Sequence, residues 1–352
     1  MKAQLLALGL MLVPLALHAG IDTEWGRSSS PTIRSRTFEY SFAKLPMSAS
    51  VTMTKHLWSG DSWPTRKGMI NNRWNTPEQE GFHLKSPSRD EAMHMSSEEL
   101  SHLAPSEKFD LLLGDYNYSL VKEVDDHAYR GAPEWYGICH GWAPASLNHN
   151  EPTPKTLMSA DGIRVPFGSS DIKALLSWYY AYHNDKAPTH QMGKRCFWPY
   201  MNPGCSKNDL NAGAFHVTVA NTIGLQDQSL ILDIEKTELV WNHPLHDYQI
   251  TVMKDHLAPS VKSSPGTARR MMVKMDLRYI KESAANTWVP FFLTTGQTIE
   301  KVTYQYTLDL DRSGKIIGGD WIGRARPDFL WSMDRVTAFE GRFQRLAELL
   351  DD

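Results

Sequence analysis

Apolar and polar residues change rhythm near the middle of this chain. Ser97-Glu98 opens a helical stretch, and Leu103–Gly114 reads as a short helix with Ser106 as its cap and Gly114 just past its end. Ser170–Tyr182 (SDIKALLSWYYAY) combines a Ser cap with apolar residues at helical spacing. From Ala214 onward alternation takes over: AFHVTVAN, SLILDIEK, YQITVMKD, ARRMMVKMDLRYI, EKVTYQYTLDLD and KIIGGDWIG all read as strands. A last helix is expected from about Met333 to Leu350. Residues 20–95 show weak periodicity, with strand-like pieces at Thr37–Phe42 and Ala49–Thr54. They read as an N-terminal extension or pro-region, either a small module or a segment wrapped on the main domain. Helices first and strands later predict an α+β domain over residues 96–352.

The first nineteen residues stand outside that domain. Lys2 is followed by an apolar run from Leu5 to Leu17, and Leu17-His18-Ala19 ends on a small residue, the pattern of a secretory signal peptide cleaved after Ala19. The run is shorter than the ~20 residues of a spanning helix, and no other stretch is long and apolar enough, so no membrane span is expected. The mature chain is expected to be secreted or periplasmic. With 352 residues, 41% of them hydrophobic, it can bury a sizeable core. A net charge of -3 argues against nucleic acid as its partner.

Export gives the cysteines their meaning. There are 3, an odd number. Cys196 and Cys205 sit close together in CFWPYMNPGC and form the natural disulfide pair, which leaves Cys139 as a free thiol. In YGICHGWAPAS, Gly137 and Gly141 permit a tight entry into a helix, with Pro144 in its first turn. Cys139 then lies at a helix N-terminus, where the dipole and free N–H groups favour a thiolate and can hold an oxyanion. A thiol also needs a base. His140 is adjacent, but neighbouring side chains on a helix do not face each other. His140 is expected to contact substrate, and so is Trp142, for which core packing is an equally good reading. A better base comes from pairing AFHVTVAN with SLILDIEK as a hairpin. Val217 and Val219 then meet Leu232 and Leu230 on one face, and His216 falls opposite Asp233 on the other. This is Cys-His-Asp logic, with Asp233 orienting the imidazole. It depends on a register that a one-residue slip would destroy.

These residues resemble a family. EKFDLLLGD (107–115), GICHGWAPAS (137–146), SDIKALLSWYY (170–180), DLNAGAFHVTVAN (209–221) and LDIEKTELVWNHPL (232–245) together resemble the transglutaminase elicitor family, known from oomycete cell-wall glycoproteins and marine bacteria. Val240–Leu245 is similar to the peptide that plants detect as an immune elicitor, departing from it at His243 and Leu245. The resemblance implies a papain-like cysteine-enzyme core, with helices carrying the Cys packed on an antiparallel sheet carrying His and Asp. It implies calcium-dependent protein-glutamine γ-glutamyl transfer through a Cys139 thioester, with His216 and Asp233 in support. Protein glutamine and a primary amine would be the substrates, and no organic cofactor is needed.

Asp309, Asp311, Ser313 and Asp320 approximate a calcium loop, although a hairpin turn at Arg312–Gly314 is the simpler reading. Two other functions use the same residues or discard them. A secreted cysteine peptidase or glutamine deamidase would share the triad, since the triad does not choose the group that resolves the thioester. A non-catalytic binding protein would have lost it.

Overall fold

The computed structural model describes residues 25, 31, 37–51, 57–76, 80–184, 186–194, 210–234, 239–284, 287–290 and 297–351. The expected disulfide pair, Cys196 and Cys205, and the signal segment 1–19 lie outside the described residues. The chain order begins with strand β1 (Ser48–Ser50) and helices α1 (Arg89–His94), α2 (Ser97–Ser101), α3 (Pro105–Leu113), α4 (Ser119–His127) and α5 (Cys139–Asn148). A small hairpin of β2 (Lys155–Met158) and β3 (Arg164–Phe167) leads into α6 (Ser169–Tyr182). The second half runs β4 (Thr189–Gly193), α7 (Ala212–Val219), β5 (Ile231–Asp233), β6 (Asn242–Leu257), β7 (Arg269–Ile280), β8 (Ile299–Leu310), β9 (Ile316–Trp321) and β10 (Phe329–Met333). A 3₁₀ helix at Gly341–Leu349 follows, shorter than the expected last helix, whose first residue belongs to β10. The mixed helical and antiparallel architecture is as the sequence indicates.

Helix starts follow local chemistry. Ser88 and Glu91, and Ser96 and Glu99, form capping boxes at α1 and α2. At α3 the cap is Ala104, not Ser106. Pro105 opens the first turn, and Glu107 reaches back to the Ala104 N–H at 2.9 Å. Gly114 closes that helix at φ +70°.

Two apolar cores organise the chain. The first lies among α3, α4, α5 and α6, with Trp58, Phe109, Trp142, Leu175 and Trp178 fully buried. Two buried ion pairs cross it. Lys108 Nζ donates to Asp171 at 2.7 Å, and Lys173 Nζ donates to Glu151 and to the Ser59 carbonyl. Asp171 also accepts from Trp74 Nε1 at 2.8 Å and from the Gly168 N–H at 2.8 Å, so the buried carboxylate is fully engaged. The second core lies between α7 and the sheet, around Phe215, Val217, Tyr248, Val273, Met275 and Tyr306. That sheet is antiparallel in the order β4-β10-β5-β6-β7-β8-β9, with β1 added on β6. The N-terminal segment is built into both cores. Phe38, Leu45 and Val51 enter the second, and Trp58, Trp63, Ile70 and Trp74 enter the first.

The expected AFHVTVAN hairpin strand is instead α7, followed by a π-helical turn at Ala220–Leu225. Asn211 caps it, accepting from the N–H groups of Gly213 and Ala214. Every residue of α7 is buried, so it has no polar face, and its apolar residues read as alternation by accident of order. His216 therefore does not face Asp233. Its Nδ1 pairs with the Tyr306 hydroxyl on β8 at 2.8 Å, and its ring packs 5.7 Å from that of Phe42. Asp233 pairs across β5 and β6 with Asn242.

Two predictions follow from this packing. Gly141 lets α5 lie against α6, since a Cβ there would stand 2.0 Å from the Ser177 carbonyl oxygen. In an open helix Gly→Ala gains up to ~1 kcal/mol. Gly141→Ala should instead destabilise by about 1–3 kcal/mol in urea unfolding, because the helices must separate. Burial also lowers the folded-state pKa of His216 to about 3. An unfolded His takes up its proton near 6.5, so the unfolded chain binds a proton that the folded chain refuses below that pH. Stability is lost as pH falls from about 6.5 toward 3, by up to ~1.4 kcal/mol per unit for this group. His216→Gln should flatten the fall in urea midpoint between pH 7 and 4.5; an unchanged slope would rule out this origin.

Candidate active site

Helix α5 starts at Cys139 itself, so the thiol sits on its first turn. Pro144 lies inside the helix, beyond the expected first turn. It supplies no N–H to the carbonyl four residues earlier, that of His140. Cys139 is a free, partly exposed cysteine. Its Sγ is 3.8 Å from the Val240 carbonyl and 3.6 Å from Asn242 Nδ2. Burial pushes its pKa above the ordinary thiol range. The backbone and side-chain N–H groups of Asn242 pull it down, while the carboxylates of Glu282 and Asp233 push it up. As a thiol, the sulfur can donate to the Val240 carbonyl.

Asn242 is the first residue of β6, and three contacts hold it. Asp233 Oδ1 accepts from the Trp241 N–H at 3.1 Å, and the Asp233–Asn242 register fixes the start of the strand. Trp331 on β10 donates its indole N–H to Asn242 Oδ1 at 2.8 Å. An indole N–H can only donate, so this contact orients the amide with its NH₂ toward the sulfur.

Cys139 opens into a cavity of about 590 Å³. Tyr129, Trp135, Tyr136, Tyr182, Phe329 and Trp331 give it an aromatic wall, and no Asp, Glu, Lys or Arg lines it among the described residues. Two imidazoles face it, His127 and His140. His140 packs edge-on to Tyr182 at 6.1 Å, and burial lowers its pKa, so it is neutral at pH 7. His127 donates Nδ1–H to the Glu123 carbonyl at 2.8 Å, which leaves Nε2 as its acceptor.

Of the residues singled out in the sequence, Cys139 and His140 line this cavity, and Asp233 stands close by through the strand start it holds. His216 is held in the second core, and the hydrogen-bond partners of Cys139 are Val240 and Asn242 instead. Trp142 is fully buried in the first core and does not line the cavity. Its Nε1 donates to the Trp58 carbonyl at 3.3 Å, and its ring meets His243 edge-on. Asn242, Trp331 and His127 were not singled out. In the sequence Val240–Leu245 stands out only as a peptide, and nothing local links it to Cys139, 103 residues before Asn242.

The calcium loop is a hairpin turn between β8 and β9. Asp311 accepts from the Ser313 and Lys315 N–H groups, with Gly314 at φ +81°. Arg270 takes the other two carboxylates, Asp309 at 2.8 Å and Asp320 at 2.6 Å. A fixed guanidinium between them does not suit a divalent cation. No cluster of three His, Cys, Asp or Glu suited to a metal occurs among the described residues. No described helix is long and apolar enough to cross a membrane.

A fold comparison and a family model point the same way. The solved structure of the GP42 transglutaminase from Phytophthora sojae is similar in fold, with a TM-score of 0.66 and 21% identity over 89% of this chain and 93% of that one. No curated protein matches the sequence. A family model described as Transglutaminase elicitor matches residues 121–350, a span that holds Cys139, Asn242 and Trp331. With its thiol helix, its sheet and most of its length inside that match, the chain belongs to the transglutaminase elicitor family.

Proposed function

We propose that this protein is a protein-glutamine γ-glutamyltransferase acting through a Cys139 thioester. One observation carries the reading: a free thiol on the first turn of a helix, opening into an aromatic cavity whose described lining carries no formal charge. Such a cavity suits the neutral carboxamide of glutamine better than a charged side chain. The thiol proton leaves to an imidazole, and Sγ attacks the carboxamide carbon. The carbonyl electron pair moves onto oxygen as the S–C bond forms. Collapse breaks the C–N bond, the proton returns to nitrogen, and ammonia departs. A primary amine then forms a new C–N bond while C–S breaks, and its proton passes through the same imidazole to the thiolate.

His140 is the base in this reading. It faces the same cavity and burial keeps it neutral; because neighbouring helical side chains diverge, this role requires a water between Sγ and the imidazole. His216 acts on stability from the second core.

The test is incorporation of a fluorescent primary amine into a glutamine-rich protein, with ammonia release followed in parallel. The mature protein should do both, and Cys139→Ala should do neither. His140→Ala should lower kcat about 10²–10⁴-fold, against less than ~10-fold for His127→Ala, whose Nδ1 is tied to Glu123. Ammonia release without amine incorporation would identify a deamidase, and cleavage of peptide bonds a peptidase. No product, together with no alkylation of Cys139 by iodoacetamide, would sink every enzymatic reading.

A further inference from the structure

We propose that Asn242 is the side-chain donor of the oxyanion site, and that Trp331 is the positioning residue that aims it. The inference rests on the Cys139 thioester reading and adds the group that receives the developing charge.

The argument is one of geometry. A thiol attack moves negative charge from sulfur to the substrate carbonyl oxygen, so a useful donor must lie beside the sulfur and reach one atom beyond it. Asn242 Nδ2 lies 3.6 Å from Sγ. The first-turn N–H groups of α5 supply the other side. A free asparagine amide presents its oxygen as readily as its nitrogen, and the oxygen would repel the charge. Here that choice is closed. The Trp331 indole N–H takes Oδ1 at 2.8 Å, and Asn242 and Trp331 are both largely buried, so the amide has little room to turn. The backbone around it is equally fixed, by the Asp233 contact to Trp241 and by the pairing of β5 with both β6 and β10. Trp331 also lines the cavity, so the residue that aims the donor forms part of the substrate wall. Such preorganisation makes an oxyanion donor effective, since no dipole has to rotate as charge develops.

Three variants test this: Asn242→Ala, the isosteric Asn242→Asp, and Trp331→Phe, which keeps a ring but loses the N–H. Two readouts are taken on the full chain. One is kcat and KM for ammonia release from a glutamine peptide. The other is the pH profile of Cys139 alkylation by iodoacetamide. Both Asn242 variants should lower kcat about 10²–10³-fold with KM changed less than ~3-fold. The alkylation profile should move to higher pH, further for Asp than for Ala, because the Asp variant puts a charge beside the thiolate. Trp331→Phe should lower kcat about 10-fold and move alkylation the same way. The double variant Asn242→Ala/Trp331→Phe should be no slower than Asn242→Ala alone, since Trp331 acts through the amide. A kcat within ~3-fold of wild type in Asn242→Asp, with an unmoved alkylation profile, would overturn the proposal. If the parent protein alkylates but releases no ammonia, acyl transfer fails as its activity. The alkylation profile then still decides whether Asn242 serves the sulfur: a shift supports it and no shift overturns it. Circular dichroism at matched pH separates either result from unfolding.

Discussion

The site depends on where β6 begins. Helix α5 is set by the first core, and Asn242 by the sheet, so the thiol and its amide neighbour belong to different halves of the packing. They meet because Asp233 grips the backbone at Trp241 and Trp331 grips the side chain at Asn242, each from a different strand. A strand that started one residue later would turn Asn242 away from sulfur and bring His243 toward it. As it stands, His243 points into packing against Trp142 and Tyr279 and donates to the Ile280 carbonyl.

Much of the frame was legible in the sequence, for reasons that also explain what was not. Helix α6 is legible from its apolar run, although its cap is Gly168, whose N–H donates to Asp171, and not the expected Ser170; the long strands β7 and β8 alternate buried and open positions over much of their length. The two strands meet a distinct inside and outside, whereas α6 is buried from Ser169 to Tyr180 and is told from a strand by its 14-residue length. Helix α7 is wrapped on all sides as well, but it has only 8 residues, and so short an apolar run carries nothing that separates a helix from a strand. The thiol was legible because the expected export and the expected Cys196–Cys205 pair leave one cysteine that needs a reason. Its neighbours were not. The Asn242–Trp331 contact joins residues 89 apart, and its meaning lies in the direction of one N–H. Asp233 stands near Cys139, but it acts on the backbone of Trp241 instead of an imidazole.

The first core explains why the sheet can rely on α5. Lys108–Asp171 and Lys173–Glu151 place four charged groups in an apolar interior, where each has a specific partner. Buried pairs of this kind add little net stability, but removing one partner strands the other charge, so alternative packings are strongly disfavoured. Both pairs include a residue of α6, the helix against which α5 rests at Gly141. The thiol therefore stands on a layer that admits few other arrangements.

The opening of β6 has one more consequence. Residues 242–245 are buried, within the short segment that resembles a plant-detected peptide. In the folded protein those side chains are turned toward Cys139, Trp142 and the sheet, with little left for an outside receptor to touch. Anything that reads this stretch as a free peptide would meet it only after β6 has been peeled from β5 and from helix α5. Exposing these side chains and keeping Asn242 beside Cys139 are therefore mutually exclusive states of one strand.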